Sequence, residues 1–114
     1  MNLRLQKINQ LLRKEISQII LREMEFPPGV LATVTRAEAS VDFYRAKIYI
    51  SVIPEEQSHK IFRILNREIY HLQQILNKRL KIKIIPRIEF IKEEKTFQAG
   101  QIEEILGKLK KEEK

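Results

Sequence analysis

The chain has 114 residues, 43% hydrophobic and 32% charged, with 22 Lys+Arg against 15 Asp+Glu and a formal net charge of +7. That length allows one domain with one modest core, and that balance excludes a fully disordered chain and a membrane-spanning one. Cysteine is absent, which excludes disulfides, thiolate catalysis and Cys-ligated metal.

The N-terminus lacks the apolar run and small-residue cleavage site of a signal peptide, so the expected compartment is the cytoplasm. Leu5, Ile8, Leu12, Ile16 and Ile19 recur at three and four residues, which predicts a helix with one apolar face. Pro27-Pro28-Gly29 ends it. Residues 31–53 predict a β-hairpin. Ala46, Ile48, Ile50 and Val52 alternate with Lys47, Tyr49 and Ser51, the period of a half-buried strand. Ala37 and Ala39 are the expected core positions of the first strand. Ser40-Val41-Asp42 supplies the turn, and Pro54 closes the second strand.

Residues 56–80 predict one long helix. Ile61, Leu65, Ile69, Leu72, Leu76 and Leu80 stay within a narrow arc. Lys60, Arg63, Arg67, His71, Gln74, Lys78 and Lys81 fall roughly opposite, as a stripe without an acid. Residues 81–91 predict a third strand, with Ile82, Ile84, Ile88 and Phe90 on one parity and Lys81, Lys83 and Arg87 on the other. Pro86 marks an edge or bulge within it. Ile102, Ile105, Leu106 and Leu109 predict a short amphipathic helix over 101–110. The expected organisation is one domain over 1–106 and a charged tail over 107–114. Its fold class is α+β, a three-stranded sheet with helices on one face.

Catalysis has little to stand on. Asp42 is the only aspartate, and it lies in a predicted turn. His59 and His71 lack metal-ligand spacing, and the three glycines form no phosphate-binding loop. No cofactor, metal or small-molecule substrate is expected, and the chain reads as no enzyme. The charge points to a polyanion. Residues 58–91 hold eight basic and two acidic side chains, a net +6 of the +7, and Lys78-Arg79-Leu80-Lys81-Ile82-Lys83 places four cations in six residues. Such a cluster attracts phosphate without reading sequence. The candidate RNA contacts are Arg63, Arg67, Lys78, Arg79, Lys81, Lys83 and Arg87. A plainer reading is a basic domain whose charge only keeps it dispersed.

Two stretches carry a resemblance. Val41-Asp42-Phe43-Tyr44-Arg45-Ala46-Lys47-Ile48-Tyr49-Ile50 and Leu76-Asn77-Lys78-Arg79-Leu80-Lys81-Ile82-Lys83-Ile84-Ile85-Pro86-Arg87-Ile88-Glu89-Phe90 resemble the ribosome-binding factor A family. The likeness runs over about residues 3–106. It implies a type II KH-like fold, helix–strand–strand–helix–strand. It also implies binding to the RNA of immature small (30S) ribosomal subunits during late maturation; the chain is expected to act as a monomer. KH domains usually carry a Gly-x-x-Gly loop, which this chain lacks. The family's Ala-x-Gly helix kink falls here on Glu68-Ile69-Tyr70, and its Phe-x-x-Asp appears as Phe90-Ile91-Lys92-Glu93. Two alternatives stay open: a protein-interaction adaptor docking through the apolar residues near Phe97 and Ile102, and a general RNA-binding module not tied to the ribosome.

Overall fold

A computed structural model of the chain describes residues 2–94. Helix α1, Leu3–Glu23, starts where the Asn2 side chain accepts from the N–H groups of Arg4 and Leu5, two of the donors that a helix N-terminus leaves unpaired. The apolar spacing of α1 does its work: Leu12, Ile16, Ile19 and Ile20 are buried. The chain then turns at Pro27-Pro28-Gly29, where Gly29 takes φ +81°, a conformation that favours glycine.

Strands β1, Leu31–Ala39, and β2, Arg45–Ile53, form the expected antiparallel hairpin. Ala46, Ile48, Ile50 and Val52 are all buried, so the period of two reads the register correctly. A bulge between Val34 and Arg36 explains why β1 alternates poorly: Val34 and Thr35 are buried in succession. The hairpin turn is built by side chains. Asp42 Oδ1 accepts from Ser40 Oγ at 2.6 Å and from the Tyr44 N–H at 3.1 Å. The hydrogen bond from Ser40, then that from Tyr44, holds the Asp42 carboxyl below its ordinary pKa.

The long helix expected over 56–80 is not continuous. A 3-10 turn, Glu55–Gln57, leads into α2, Ser58–Arg67, and a second helix, α3, Ile69–Arg79, follows. Glu68 separates them at φ −97°, ψ 4°. Any L residue can occupy that bridge conformation, so the break needs neither glycine nor proline. The apolar arc survives it, because Ile61, Leu65, Leu72, Leu76 and Leu80 are all buried. The third strand is also shorter than expected: β3 covers Arg87–Lys92, not 81–91. Pro86 has no N–H to pair, and proline restrains the residue before it, so pairing begins just after it. Residues 80–86 are a connecting loop, with Ile82 and Ile85 packed against the core.

The sheet order is β1-β2-β3, with β3 parallel to β2. All three helices and the inward positions Val34, Ala37, Ile48, Ile50, Ile88 and Phe90 share one core. The opposite face of the sheet bears Arg36, Glu38, Lys47, Tyr49 and Ser51, and no described helix crosses it. This is the α+β, type II KH-like architecture that the resemblance implies. The expected helix over 101–110, the domain limit at 106 and the docking face near Phe97 and Ile102 lie outside the described residues.

Candidate nucleic-acid interface

The basic segment is fixed by one glutamine. Gln73, in α3, donates from Nε2 to the Pro86 carbonyl at 3.1 Å and accepts from the Ile88 N–H at 2.9 Å. It thereby ties the helix to both sides of the entry into β3. The same Nε2 donates to Asn77 at 3.0 Å. Lys81 and Lys83 project from the loop so held and are exposed, as is Lys78 in the last turn of α3. A cation there also complements the negative end of the helix dipole.

The seven expected contacts do not form one uniform set. Arg63 and Arg67 are exposed on α2, and the break at Glu68 separates them from the α3 cations. The stripe is not free of acids either. Arg67 lies 3.7 Å from Glu68, and His71 Nε2 lies 3.5 Å from Glu23 on α1. Arg79 is engaged within the fold. Its Nε donates to Glu15 at 2.7 Å and its Nη2 to Gln18 Oε1 at 2.6 Å, which clamps α3 against α1. Lys78, Lys81, Lys83 and Arg87 remain as exposed cations around the α3–β3 joint.

A cleft of about 510 Å³ adjoins this joint, lined by Arg45, Ile69, Tyr70, Gln73, Arg87, Ile88 and Glu89. Arg45 and Arg87 open β2 and β3 as register partners, and the Arg87 N–H donates to the Tyr44 carbonyl at 2.9 Å. Both arginines are exposed. Like charges on neighbouring strands repel, and Glu89 offsets only part of that charge. An anion between them would relieve it. Tyr70, 75% exposed at the start of α3, lines the same cleft, so an aromatic ring stands beside the paired cations. The arrangement can hold a phosphate and offer a stacking surface to an unpaired base.

Sequence reasoning missed Arg45 and Gln73. Arg45 sits in the quoted stretch Phe43-Tyr44-Arg45, but its pairing with Arg87 depends on the parallel register, which no local pattern shows. Gln73 carries no signal at all in a helix rich in polar residues. On the sheet face without helices, the Arg36 guanidinium stacks 3.8 Å from the Tyr49 ring centroid. Among the described residues no group of three or more His, Asp or Glu could hold a metal. No helix among them is long and apolar enough to cross a membrane.

Comparison with known proteins gives a consistent result. A family model described as ribosome-binding factor A matches residues 4–106. The chain is 36% identical over 108 residues to ribosome-binding factor A of Thermodesulfovibrio yellowstonii, covering 95% of this chain and 92% of that one. Its fold is similar to the crystal structure of ribosome-binding factor A from Thermus thermophilus, with a TM-score of 0.66 and 25% identity over 77% of this chain and 93% of that one. It is also similar, at a TM-score of 0.60 and 25% identity, to a homology model of the Thermus thermophilus factor fitted into a cryo-electron microscopy map of a complex of the 30S subunit with that factor, over 73% of this chain and 88% of that one.

Proposed function

The chain belongs to the ribosome-binding factor A family, and from that premise we propose that it is a non-enzymatic assembly factor that binds the RNA of immature small ribosomal subunits. In this reading it acts as a cytoplasmic monomer, without a cofactor, and assists late maturation and processing of that RNA. The observation that carries the reading is the union of two features. Exposed cations crowd the α3–β3 joint, and Arg45 and Arg87, register partners on neighbouring strands, line a cleft together with Tyr70. The relative bound to a 30S subunit has the same fold, which supports the same partner here.

Lys78, Lys81, Lys83, Arg87 and Arg45 take phosphates, with Arg63 and Arg67 as outlying contacts on α2. Arg79 contributes by holding α3 in place through Glu15 and Gln18. Phosphate contacts position the protein, and exposed Tyr70 offers an unpaired base a surface.

Co-sedimentation with free small subunits tests this. The wild type is expected to travel with them, and a Lys78→Gln, Lys81→Gln, Lys83→Gln, Arg87→Gln variant to be lost from the pellet while still folded. Unchanged sedimentation of that variant would favour a protein-interaction adaptor. Equal affinity for unrelated RNA would favour a general RNA-binding module.

A further inference from the structure

Strand β1 lies at one edge of the sheet: β2 pairs with one side of it and no described strand with the other. Backbone groups along a strand point alternately to its two sides. The Arg45 carbonyl accepts from the Ser40 N–H, towards β1, while the Tyr44 and Ile50 carbonyls accept from Arg87 and Glu93, towards β3. The odd-numbered residues of β2 therefore bond to β1. Ser51 and Ile53 are the register partners of Thr33 and Leu31, which leaves the backbone groups of Ala32 and Val34 turned to the open edge. Natural sheets blunt such an edge with lysine, proline or a bulge. The bulge of β1 lies beyond Val34, and Leu31-Ala32-Thr33-Val34 carries no charge and no proline. A cleft of about 350 Å³ runs between this stretch and the end of α1, with Leu21, Met24, Phe26, Val30 and Leu31 in its wall. Leu21 is 83% exposed and Leu31 59%. Ser17 lines the cleft too, and a second depression on α1, lined by Gln10, Arg13, Lys14 and Ser17, continues from it. Arg13 and Lys14 are exposed and enter no ion pair among the described residues.

We propose that this edge is a docking site for an extended, acidic peptide of a protein partner, which adds a strand to β1, seats apolar side chains in the cleft and sets a carboxylate against Arg13 and Lys14. Main-chain bonds to Ala32 and Val34 fix the register of the added strand, and its alternate side chains reach the same side. The cleft thus selects apolar residues at every second position. Charge complementarity chooses the class of partner. Two unpaired cations at one end of an apolar groove favour an acidic peptide. They disfavour a second copy of this chain, which would bring the same two cations and a net charge of +7. They would attract RNA, but Leu21 and Leu31, the most exposed side chains of the cleft, are aliphatic and give bases no stacking platform. The spacing follows from the helix. Lys14 and Leu21 are seven residues apart, roughly 10 Å along α1, a distance that a strand spans in about three residues. The acid is therefore expected three or four positions from the seated apolar residue. The site does not depend on the RNA-binding reading, because β3 and the cleft lined by Arg87 lie at the opposite edge of the sheet.

Random peptides displayed on phage and selected on the full chain test this without presupposing a partner. The selected peptides are expected to alternate apolar residues, with aspartate or glutamate three or four positions on. A synthetic copy of the tightest binder is expected to shift the amide resonances of Ala32 and Val34 and to slow their hydrogen exchange, leaving Arg45 and Arg87 undisturbed. Leu21→Lys replaces an exposed side chain and is expected to weaken that peptide at least about tenfold. Arg13→Glu with Lys14→Glu is expected to weaken it as well, and a peptide carrying lysine in place of the acid to bind that variant again. Selection of no such peptide would overturn the proposal. So would binding that leaves Ala32 and Val34 unmoved, tolerates Leu21→Lys or ignores the charge swap. A dimer of the chain alone in sedimentation equilibrium, abolished by Leu21→Lys, would overturn it in favour of a second copy. Slowed exchange at Ala32 and Val34 with small-subunit RNA but with no peptide would overturn it in favour of RNA.

Discussion

Glu93 shows how much one side chain can decide. Burial alone pushes its carboxyl pKa up, but hydrogen bonds from Arg36 and Thr35, together with the Arg36 charge, outweigh burial and hold it below its ordinary value of 4.5. The charged form is thus favoured by folding. Its stabilisation is complete above the ordinary carboxylate value and is lost as the pH falls through the lower folded one. Glu93→Gln is expected to destabilise the protein by about 1–3 kcal/mol at neutral pH. The gap in melting temperature from the wild type should narrow as the pH falls below that ordinary value. A constant gap across that range in a thermal-melt series would show that the carboxylate charge is not what matters. In the sequence this acid is legible only as the last position of Phe90-Ile91-Lys92-Glu93. Its partners lie 57 and 58 residues away, and nothing local announces them. Arg79 makes the converse point. Composition groups it with Lys78, yet its guanidinium is taken by Glu15 and Gln18. Arg79→Gln is expected to cost about 1–2 kcal/mol, and Lys78→Gln to stay within about 0.5 kcal/mol, as denaturant titration would measure.

The elements were legible where periodicity is strong and nothing competes with it. Helix α1 and the β2 alternation follow from apolar spacing alone, because both are amphipathic throughout. Two boundaries did not follow. The helix break at Glu68 is invisible because the arc Ile61-Leu65-Leu72-Leu76 continues through it, and the bridge conformation is open to glutamate. The start of β3 was masked by Ile82 and Ile84, whose parity matches a strand although both lie in the loop before it. Pro86 was the true signal, a missing donor that postpones pairing until Arg87. Both helices nonetheless bury their arc against the sheet. Leu65→Ala in α2 and Leu72→Ala in α3 are each expected to cost ~2–5 kcal/mol. Total stability of a small domain is only ~5–15 kcal/mol, so calorimetry should show either loss. A cost below about 0.5 kcal/mol for one of them would mean that its helix is not seated on the core.

For the whole molecule, the charge pattern pointed to the α3–β3 joint, and the fold refines what that charge can do. Two cations of the six-residue cluster reside on a helix end and two on a loop, so the cluster is no flat strand face. Arg45 and Arg87 come together only because β3 runs parallel to β2, at a cleft that adjoins the lysine-bearing joint. Phosphate capture by the cations of this joint is what the proposed function rests on, and salt dependence probes it. Phosphate binding releases counterions, so the logarithm of affinity falls linearly with the logarithm of salt, by about 0.7 per phosphate on single strands and 0.9 on a duplex. The measurement is the affinity of wild type and of the Lys78→Gln, Lys81→Gln, Lys83→Gln, Arg87→Gln variant for small-subunit RNA across a salt series. The expected result is a normally folded variant whose slope is flatter by roughly three units. An unchanged slope in a folded variant would contradict it and place the RNA surface elsewhere, first on α1 around Arg4, Lys7 and Lys14.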